Sequence, residues 1–323
     1  MAEPEQPDVR EQPGSPPLAR STMDRAALHR RDEAWLADAW TRGLLLVVDS
    51  RDGRALVTDH TCGGVSLVLL SPAEAPDAER WFLGLDPDGT PLWTVDAPLP
   101  SVGGARPATL REVGHLLDDR DAGLFTAAAA LANWHAGHPF SPRTGLPTKA
   151  VEAGWARADD EGRLTWPRTD PAMIVLVHDG LPGPDGRCLL GHNVAWGAGP
   201  DGVRRFSCLA GYVEPGESAE AAVVREVAEE VGVRLQSLRY AGSQAWPYPG
   251  SLMLGFHAVA DRDQPIRVDP EEIDEARWFS RDEIATMIAG DFVDPETGVR
   301  MSLPMRSSIA FYLIESWLGG FGQ

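Results

Sequence analysis

Continuous apolar runs bounded by turn residues are the clearest pattern in this chain. Leu44–Val48 is such a run, and the turn Asp49–Gly53 and a second apolar stretch at Ala55–Val57 follow it, which predicts a hairpin. Met173–Val177 and Cys188–Leu190 flank a second turn-rich segment in the same way. Two further apolar stretches also predict strands: Val65–Leu70 and Trp81–Leu85.

The two hairpins resemble each other. Leu44–Val57 and Ile174–Leu190 each contain an apolar strand, an Asp-Gly-Arg turn and a second apolar strand. Duplication of one unit would produce this similarity, and so would chance resemblance between two ordinary hairpins.

Helices are predicted where helix formers run without a breaker. Arg25–Trp40 is charged and alanine-rich, and Ser280 with Glu283 forms a capping-box pattern that starts a helix at Arg281. Ser308–Leu318 carries apolar residues at helical spacing, which predicts a terminal helix on the core. The remaining helical stretches are Leu110–Leu117, Asp121–His135 and Ala221–Val231.

The order of these elements predicts a mixed α/β (α+β) protein with two domains. We expect a disordered tail over residues 1–22, an N-terminal α/β domain over 23–125, a helix and connector over 126–167, and a second domain over 168–323. The 323 residues suffice for two separate cores. We find no apolar run long enough for a signal peptide or a membrane span, and therefore expect a cytoplasmic protein.

Charge and cysteine content narrow the function classes. The formal net charge of −19 argues against a general binder of nucleic-acid backbones, which needs a basic face. A phosphorylated substrate remains compatible if metal ions and local arginines reverse the field at the site. The three cysteines, Cys62, Cys188 and Cys208, are far apart, which disfavours both a disulfide framework and a zinc site made only of cysteines.

One predicted helix concentrates carboxylates. Ser218 is a suitable N-cap, Gly232 is a natural stop, and Glu226, Glu229 and Glu230 fall at positions i, i+3 and i+4 on one face. Three stacked carboxylates repel one another, and a hard divalent cation such as Mg²⁺ removes that repulsion. The alternative for such a triplet is a solvated acidic helix face.

The residues around this triplet resemble the Nudix box, in which fixed glycine, glutamate, arginine and aliphatic positions span 23 residues. Every specified position matches: Gly211, Glu217, Arg225, Glu226, Val227, Glu229, Glu230, Gly232 and Val233. The resemblance implies a Nudix fold, and Mg²⁺ or Mn²⁺ held by the three glutamates of the helix. It also implies that Arg225 holds Glu217, and that a glutamate activates the attacking water. Glu272, in an acidic stretch further on, corresponds to an additional metal-binding carboxylate.

A second motif, Ser243–Ser251, resembles the signature of NADH pyrophosphatases within this family. Two positions depart from that signature, because Ala245 replaces proline and Tyr248 replaces phenylalanine. Flat aromatic rings next to rigid prolines suit the stacking of a base. The resemblance implies a substrate pocket with these members: Ala210, Tyr212, Gln244, Trp246, Pro247, Tyr248, Ser251 and Trp166. Further residues similar to the family occur at Trp134-His135, at Trp166–Pro171 and at Pro304 with Ser308–Ala310.

Many relatives carry a four-cysteine zinc ribbon between the domains. The corresponding positions here are Ser141, Thr144, Ala158 and Glu161, which provide no thiolate. We therefore expect no zinc, and a metal-free connector that keeps the shape of the ribbon.

The resemblance implies an enzyme that hydrolyses NADH to reduced nicotinamide mononucleotide and AMP, with NAD⁺ as an alternative substrate, and that forms a homodimer. Removal of NAD caps from RNA and hydrolysis of ADP-ribose or dinucleoside polyphosphates are enzymatic alternatives. A nucleotide sensor built on the same fold is the non-enzymatic alternative, and it would be marked by a broken carboxylate set or an attached DNA-binding module.

Overall fold

The computed structural model describes residues 14–61, 63–197, 202–290 and 292–320. Cys62 and residues 1–13, which form most of the predicted tail, lie outside the described residues. Within these ranges the chain forms two mixed sheets, each covered by helices, with a small three-stranded sheet between them in sequence.

The first sheet is built by the N-terminal half. Its strands run in the order β3-β2-β1-β5-β4, with β6 paired to β2. The predicted hairpin is confirmed, because Val48 pairs with Ala55 in antiparallel register. The strands are β1 (Leu44–Asp49), β2 (Arg54–Asp59), β3 (Val65–Leu67), β4 (Arg80–Leu85), β5 (Pro91–Asp96) and β6 (Arg106–Thr109).

Helices cover both faces of this sheet, which explains why β1 reads as an unbroken apolar run. Leu46 and Val48 face one core beneath the long helix α3, and Leu45 and Val47 face a second core beneath α1. The helices are α1 (Glu33–Thr41), α2 (Leu110–Val113) and α3 (Asp119–Gly137). None of the helices in the described ranges combines the length and the apolar character needed to cross a membrane.

The connector forms a three-stranded antiparallel sheet of β7 (Thr148–Val151), β8 (Ala156–Asp159) and β9 (Leu164–Thr165). Its turns are held by the buried carboxylate of Asp159. That carboxylate accepts hydrogen bonds from the Thr144 hydroxyl at 3.4 Å and from the Arg163 Nε at 3.0 Å.

The four positions where relatives carry zinc ligands are distributed over this unit. Ser141 and Thr144 lie in the turn before β7, Ala158 lies in β8, and Glu161 pairs with Arg163 at 2.9 Å. Hydroxyl, carboxylate and guanidinium groups thus connect the segments of the connector.

The second sheet is built by the C-terminal half, in the order β14-β15-β10-β11-β16, with β13 paired to β10. A separate short parallel pair joins β12 and β17. The strands are β10 (Asp170–His178), β11 (Arg187–Asn193), β12 (Arg204–Arg205), β13 (Leu209–Tyr212), β14 (Leu235–Trp246), β15 (Ser251–Ala260), β16 (Ile273–Ser280) and β17 (Met301–Ser302). The helices are α4 (Ala219–Val231), α5 (Arg281–Ala289) and α6 (Ile309–Leu318).

The central strand β10 separates two cores. Met173 and Val175 belong to the core beneath α4, whereas Ile174 and Leu176 belong to the core beneath α5 and α6. Burial of each such side chain contributes about 1.5–3 kcal/mol, so the position of α4 against the sheet is strongly fixed.

The two sheets share a topology. In both, the two central strands are parallel, β1 with β5 and β10 with β15, and their outer neighbours are antiparallel. The halves differ in the segment that precedes one edge strand, which is β14 in the C-terminal half and β4 in the N-terminal half. The C-terminal half has α4 there, and the N-terminal half has only a short 3-10 helix at Pro72–Glu74.

Several element boundaries differ from prediction. The helix predicted at Leu110–Leu117 ends at Val113, the strand predicted at Val65–Leu70 ends at Leu67, and α1 begins at Glu33 rather than at Arg25. The predicted capping box at Ser280 and the helix that follows it are confirmed.

The prediction of disorder is wrong for residues 14–22. Leu18 is buried in the N-terminal core, and its backbone N–H donates to the Gln244 side chain at 3.0 Å. Arg20 donates to the carbonyl oxygens of Gly114 and Leu117. Proline-rich composition therefore did not prevent this segment from packing against both halves.

Two buried histidines make the stability of the folded protein depend on pH. The Arg157 guanidinium can only donate, so Nδ1 of His135 accepts its hydrogen bond at 2.7 Å and Nε2–H donates to the Gly154 carbonyl at 2.8 Å. Burial lowers the pKa of His135 to about 4 and that of His257 to about 3. Both rings are therefore neutral in the folded protein near neutral pH.

We predict that stability falls as pH drops below 6.5, because the unfolded chain then binds protons that the folded chain does not. The loss from His135 alone should reach about 2–3 kcal/mol near pH 4. Urea unfolding between pH 7 and pH 4 measures it. His135→Gln should flatten this dependence, whereas the same change at the exposed His60 should not; equal slopes for the two variants would contradict the prediction.

Candidate active site

Helix α4 presents its carboxylates beside the sheet because its opposite face is apolar. Ala222, Val223, Val227 and Val231 are fully buried against the sheet. The Ser218 hydroxyl accepts the Ala221 N–H at 3.1 Å, a cap that contributes about 1 kcal/mol. Gly232 ends the helix with φ 70°, a left-handed conformation that favours glycine. The loop-helix-loop predicted from the sequence is thus observed.

Arg225 joins three glutamates. Its guanidinium forms a bidentate ion pair with Glu217, with N···O distances of 2.9 and 3.0 Å. It also pairs with Glu226 at 2.9 Å and with Glu229 at 3.0 Å. It also donates to the Tyr212 carbonyl at 3.0 Å. The hydrogen bonds from Arg225 hold the pKa of Glu217 below its usual value. Arg225 therefore ties the helix to the loop before it, as the resemblance implied for Glu217.

Gly211 provides the space in which Glu226 lies. A Cβ atom at this position would come within 2.0 Å of the Glu226 carboxyl carbon. Gly211 sits on β13, paired with Met173 of the central strand, so its backbone cannot easily retreat. The first glycine of the box thus permits close approach of a carboxylate to the sheet.

Glu230 is the most deeply buried of the glutamates on α4. Glu230 is only 3% exposed, and its Oε2 atom has no hydrogen-bond partner among the described residues. Burial first, and then the charges of Glu226 and Glu272, raise the pKa of Glu230 to about 8, although a hydrogen bond from the Ala210 N–H opposes the shift. Burial and the charges of Glu229 and Glu272 likewise raise the pKa of Glu226.

Glu272 is brought to the helix by its loop. The Asp269 N–H donates to the Glu230 carbonyl at 3.0 Å, and the Glu272 N–H donates to the Asp269 carbonyl at 3.1 Å. The charge of Glu272 acts on both Glu226 and Glu230. The structure therefore brings Glu272, from a separate segment, to the helix that carries Glu226 and Glu230.

The side chains do not form a preformed metal-binding site among the described residues. Within the ranges that the structure describes, no three acidic, histidine or cysteine side chains converge on one ion position. Arg225 draws the Glu229 carboxylate toward itself and neutralises part of the negative charge. The donor set still fits a hard divalent cation, because Glu230 offers a buried oxygen without a partner next to two further carboxylates.

A cavity of about 270 Å³ opens on the side of β10 that carries Ile174, and none of the four glutamates lines it. Ala210, whose N–H bonds to Glu230, forms part of its wall, and so does Trp246. Residues from both halves of the chain line it, since Arg111 comes from α2 of the N-terminal half. The cavity is therefore linked to the acidic cluster through Ala210, and it has an aromatic wall.

The aromatic motif bridges the two halves. The rings of Trp246 and Tyr248 meet edge to face with centroids 5.0 Å apart, and both pack on the N-terminal core. The Arg111 guanidinium lies over Tyr248 at 3.9 Å, and the Asn133 side chain donates to the Pro247 carbonyl at 2.7 Å. The N-terminal half thus fixes the position of this motif.

Other residues predicted in the pocket lie elsewhere. Gln244 is buried, and its amide is occupied by Leu18 and the Ser307 carbonyl. Ser251 and Pro247 line a separate, smaller cavity of about 80 Å³. Tyr212 and Trp166 are exposed by 59% and 52%, and neither lines the larger cavity.

Among the residues that line the larger cavity, Arg111, Trp196 and Arg205 are large side chains that were missed from the sequence. Each stands outside the two recognisable motifs, and a single arginine or tryptophan carries no spacing signature. Only the fold brings them together.

Comparisons with known proteins match both halves of the chain. A family model of the NUDIX domain matches residues 168–296. A second, described as an NADH pyrophosphatase-like rudimentary NUDIX domain, matches residues 41–134. For the similarity between the two hairpins, this second match favours duplication over chance.

Whole-chain relatives agree with these matches. The chain is 41% identical over 308 residues to the NAD-capped RNA hydrolase NudC of Mycobacterium tuberculosis, with 94% of each chain covered. It is 40% identical over 215 residues to the mitochondrial NAD(P)H pyrophosphatase NUDT13 of Homo sapiens, with 65% of this chain and 58% of that protein covered. The chain therefore belongs to the Nudix hydrolase family, within the group that contains the NADH pyrophosphatases and NAD-capped RNA hydrolases.

Proposed function

We propose that this protein hydrolyses the pyrophosphate bond of NADH or NAD⁺ to nicotinamide mononucleotide and AMP, with Mg²⁺ or Mn²⁺ as cofactor. The observation that carries the proposal is the buried Glu230 oxygen without a partner among the described residues, which Ala210 links to the cavity that Trp246 lines. The names of the relatives, an NAD-capped RNA hydrolase and an NAD(P)H pyrophosphatase, support the substrate class.

The ion-binding residues in this proposal are Glu226, Glu229, Glu230 and Glu272. A bound divalent cation neutralises phosphate oxygens and makes water a better nucleophile. Glu229 would exchange its contact with Arg225 for the ion, and Arg225 would keep Glu217 in place through its remaining contacts.

The surroundings of Glu230 suit an ion ligand. One of its buried oxygens has no partner among the described residues, and a bound cation would offset the burial and the charges of Glu226 and Glu272 that raise its pKa. Trp246 and Ala210 line the same cavity, and the Ala210 N–H bonds to Glu230. A base of the dinucleotide would stack on the Trp246 ring. The base and the pyrophosphate would thus occupy neighbouring parts of one site.

A second candidate substrate is an NAD cap at the 5′ end of RNA, since the same bond would be cut in the same pocket. The name of the mycobacterial relative supports it. ADP-ribose or a dinucleoside polyphosphate remains an alternative with the same chemistry. A sensor without activity is disfavoured, because every specified position of the box is present.

We also propose a homodimer in the cytoplasm. The half-exposed Trp166 ring is available to a partner subunit, and Tyr212 is exposed next to the carboxylate helix. The free buried thiols of Cys188 and Cys208 suit a reducing compartment.

Glu230→Gln should abolish most turnover, because the amide is neither a base nor an anionic ligand. We expect kcat for NADH with Mg²⁺ to fall at least a hundredfold, measured by AMP release. Glu220→Gln, the same change at an exposed position of the same helix, is the control and should keep wild-type turnover. Near-native rates for Glu230→Gln would exclude the proposed site.

The same variant should be more stable than wild type when metal is chelated. A carboxyl whose folded pKa is raised from 4.5 to about 8 loses stability as pH rises through that interval, and glutamine does not. Thermal unfolding in EDTA between pH 5 and pH 8 measures the difference in the free energy of unfolding between Glu230→Gln and wild type. We expect this difference to grow with pH to a few kcal/mol. A difference that stays constant with pH would contradict the unpaired state of Glu230.

Gly211→Ala should lower activity with little cost in stability. The new methyl group meets the flexible end of Glu226 rather than backbone, so the carboxylate moves and the fold remains. We expect kcat to fall at least tenfold and the melting temperature to stay within about 4 °C, the shift that roughly 1 kcal/mol produces. Gly103→Ala in the N-terminal half, where the new methyl group would meet no described atom within 4 Å beyond the neighbouring residues, is the control. An unchanged kcat would remove Gly211 from the site.

Trp246→Ala should reduce the preference for NADH over ADP-ribose about tenfold, the value expected for loss of one stacking contact. Trp40→Ala in α1, outside the cavity, is the matched control. Comparison of kcat/KM for the two substrates decides it, and an unchanged preference would place the base elsewhere.

A further inference from the structure

A segment near the N-terminal end of the described chain is fixed to the first half. We call residues 16–24 the N-terminal strap. Asp24 and Leu85 of β4 exchange backbone hydrogen bonds at 3.0 and 2.8 Å. The Arg20 guanidinium donates to two carbonyl oxygens between α2 and α3, and the Leu18 side chain is buried in the core beneath α3. The strap is therefore an integral part of the first half.

Gln244 connects the strap to the second half. This residue lies in β14, and it is buried. Its Oε1 atom accepts the Leu18 N–H at 3.0 Å, and its Nε2 atom donates to the Ser307 carbonyl oxygen at 3.0 Å. Because an N–H can only donate and a carbonyl oxygen can only accept, these partners fix the orientation of the amide. A shift of the strap would therefore act on the loop that contains Ser307.

Ser307 receives a second connection from the first half. Its hydroxyl oxygen is buried and accepts the backbone N–H of His115 at 3.2 Å, and it lies 3.1 Å from Nδ1 of the same histidine. A Cβ atom at Gly114 would lie 3.3 Å from this oxygen, so the two segments approach each other closely. Ser307 is thus held from two sides, by the strap through Gln244 and by the turn after α2.

Both connections lie behind the wall of the larger cavity. Met305 and Ser308 line that cavity, whereas Ser307, in the same loop, does not. The first half contributes Arg111 of α2 to the lining, and His115 follows this helix directly in the turn. The two connections therefore hold the part of the wall that comes from the loop in a fixed position relative to the part that comes from α2.

We propose that Gln244 and Ser307 are positioning residues, which set the separation between these two parts of the cavity wall and thereby the affinity for the nucleotide. This inference rests on the proposed function and assigns the first half a part in substrate binding. The proposed ion ligands are held by other contacts: α4 packs on the sheet through its apolar face, and the loop that carries Glu272 bonds to the Glu230 carbonyl. Loss of a positioning contact should therefore weaken binding and leave the hydrolytic step nearly unchanged.

Ser316 provides a matched control within the second half. Its hydroxyl is also buried, and it lies 3.0 Å from a histidine nitrogen, Nε2 of His257. It is near the C-terminal end of α6, whereas the cavity is lined by residues at the N-terminal end of this helix. Ser316→Ala thus removes a similar hydrogen bond without altering a contact between the halves.

The test separates positioning from a loss of stability. For Ser307→Ala we expect KM for NADH to rise about threefold or more, a factor that loss of one hydrogen bond produces, with kcat within about twofold of wild type. Ser316→Ala should lower the melting temperature by the same amount, to within about 3 °C, and leave KM unchanged. Gln244→Met nearly keeps the side-chain volume and removes both hydrogen bonds of the amide, so it should raise KM as well.

Three results would overturn the proposal. The first is a KM less than about threefold above wild type in whichever of Ser307→Ala and Gln244→Met shows a cooperative thermal transition. The second is a rise in KM of the same size in Ser316→Ala, because the effect would then follow stability rather than the connection between the halves. The third is a fall in kcat as large as the rise in KM, because the change would then reach the hydrolytic groups.

Binding measurements distinguish failure of this inference from failure of the proposed function. Calorimetry with AMP and with nicotinamide mononucleotide, the two halves of the proposed substrate, needs no turnover. We expect Ser307→Ala to bind about threefold or more weakly than wild type, and Ser316→Ala to bind as wild type does, even if NADH is not cut. Equal affinities in wild type and Ser307→Ala would overturn the inference alone. A wild type that neither binds these nucleotides nor cuts NADH would overturn both.

Discussion

The repulsion among carboxylates beside the central sheet is the constraint on which the rest of this structure depends. Glu226 and Glu230 are held in a poorly solvated position because the other face of α4 is locked into the core. Glu272 is fixed nearby by a loop whose backbone bonds to the end of the same helix. An unneutralised cluster of this kind is costly in a low-dielectric environment, and either protonation of a carboxylate or a bound cation would relieve that cost. Arg225 moderates the repulsion without removing it, since it reaches Glu226 and Glu229 but leaves an oxygen of Glu230 unpartnered.

The sequence was most informative where local chemistry and fold coincide. The loop, the cap at Ser218 and the stop at Gly232 are determined by neighbouring residues, so α4 and its acidic face could be predicted closely. The strand β14 was missed because its outer part is largely exposed and gives no apolar run. β5 was missed for another reason: it begins at Pro91 and depends on parallel pairing with the distant β1. Pairing partners far apart in the chain leave no local signal.

The residues of the site show the same difference between what neighbouring residues determine and what distant segments determine. The box residues converge because one helix carries them, whereas Arg111 and Arg205 reach the cavity from segments about 94 residues apart in sequence. Gln244 illustrates the opposite error: it lies within the recognisable motif, yet its amide connects the N-terminal segment to the loop at Ser307. A motif locates a region of the fold but does not state which of its side chains face the ligand.

The connector sheet has a consequence for how this molecule responds to its surroundings. Where relatives use thiolates around zinc, the turns here are joined by Asp159 to a hydroxyl and a guanidinium. Such contacts weaken when the carboxylate is protonated or when salt screens the pair, and they are indifferent to oxidants and chelators. The shape of the connector therefore responds to acidity and ionic strength through these contacts, rather than to thiol oxidation.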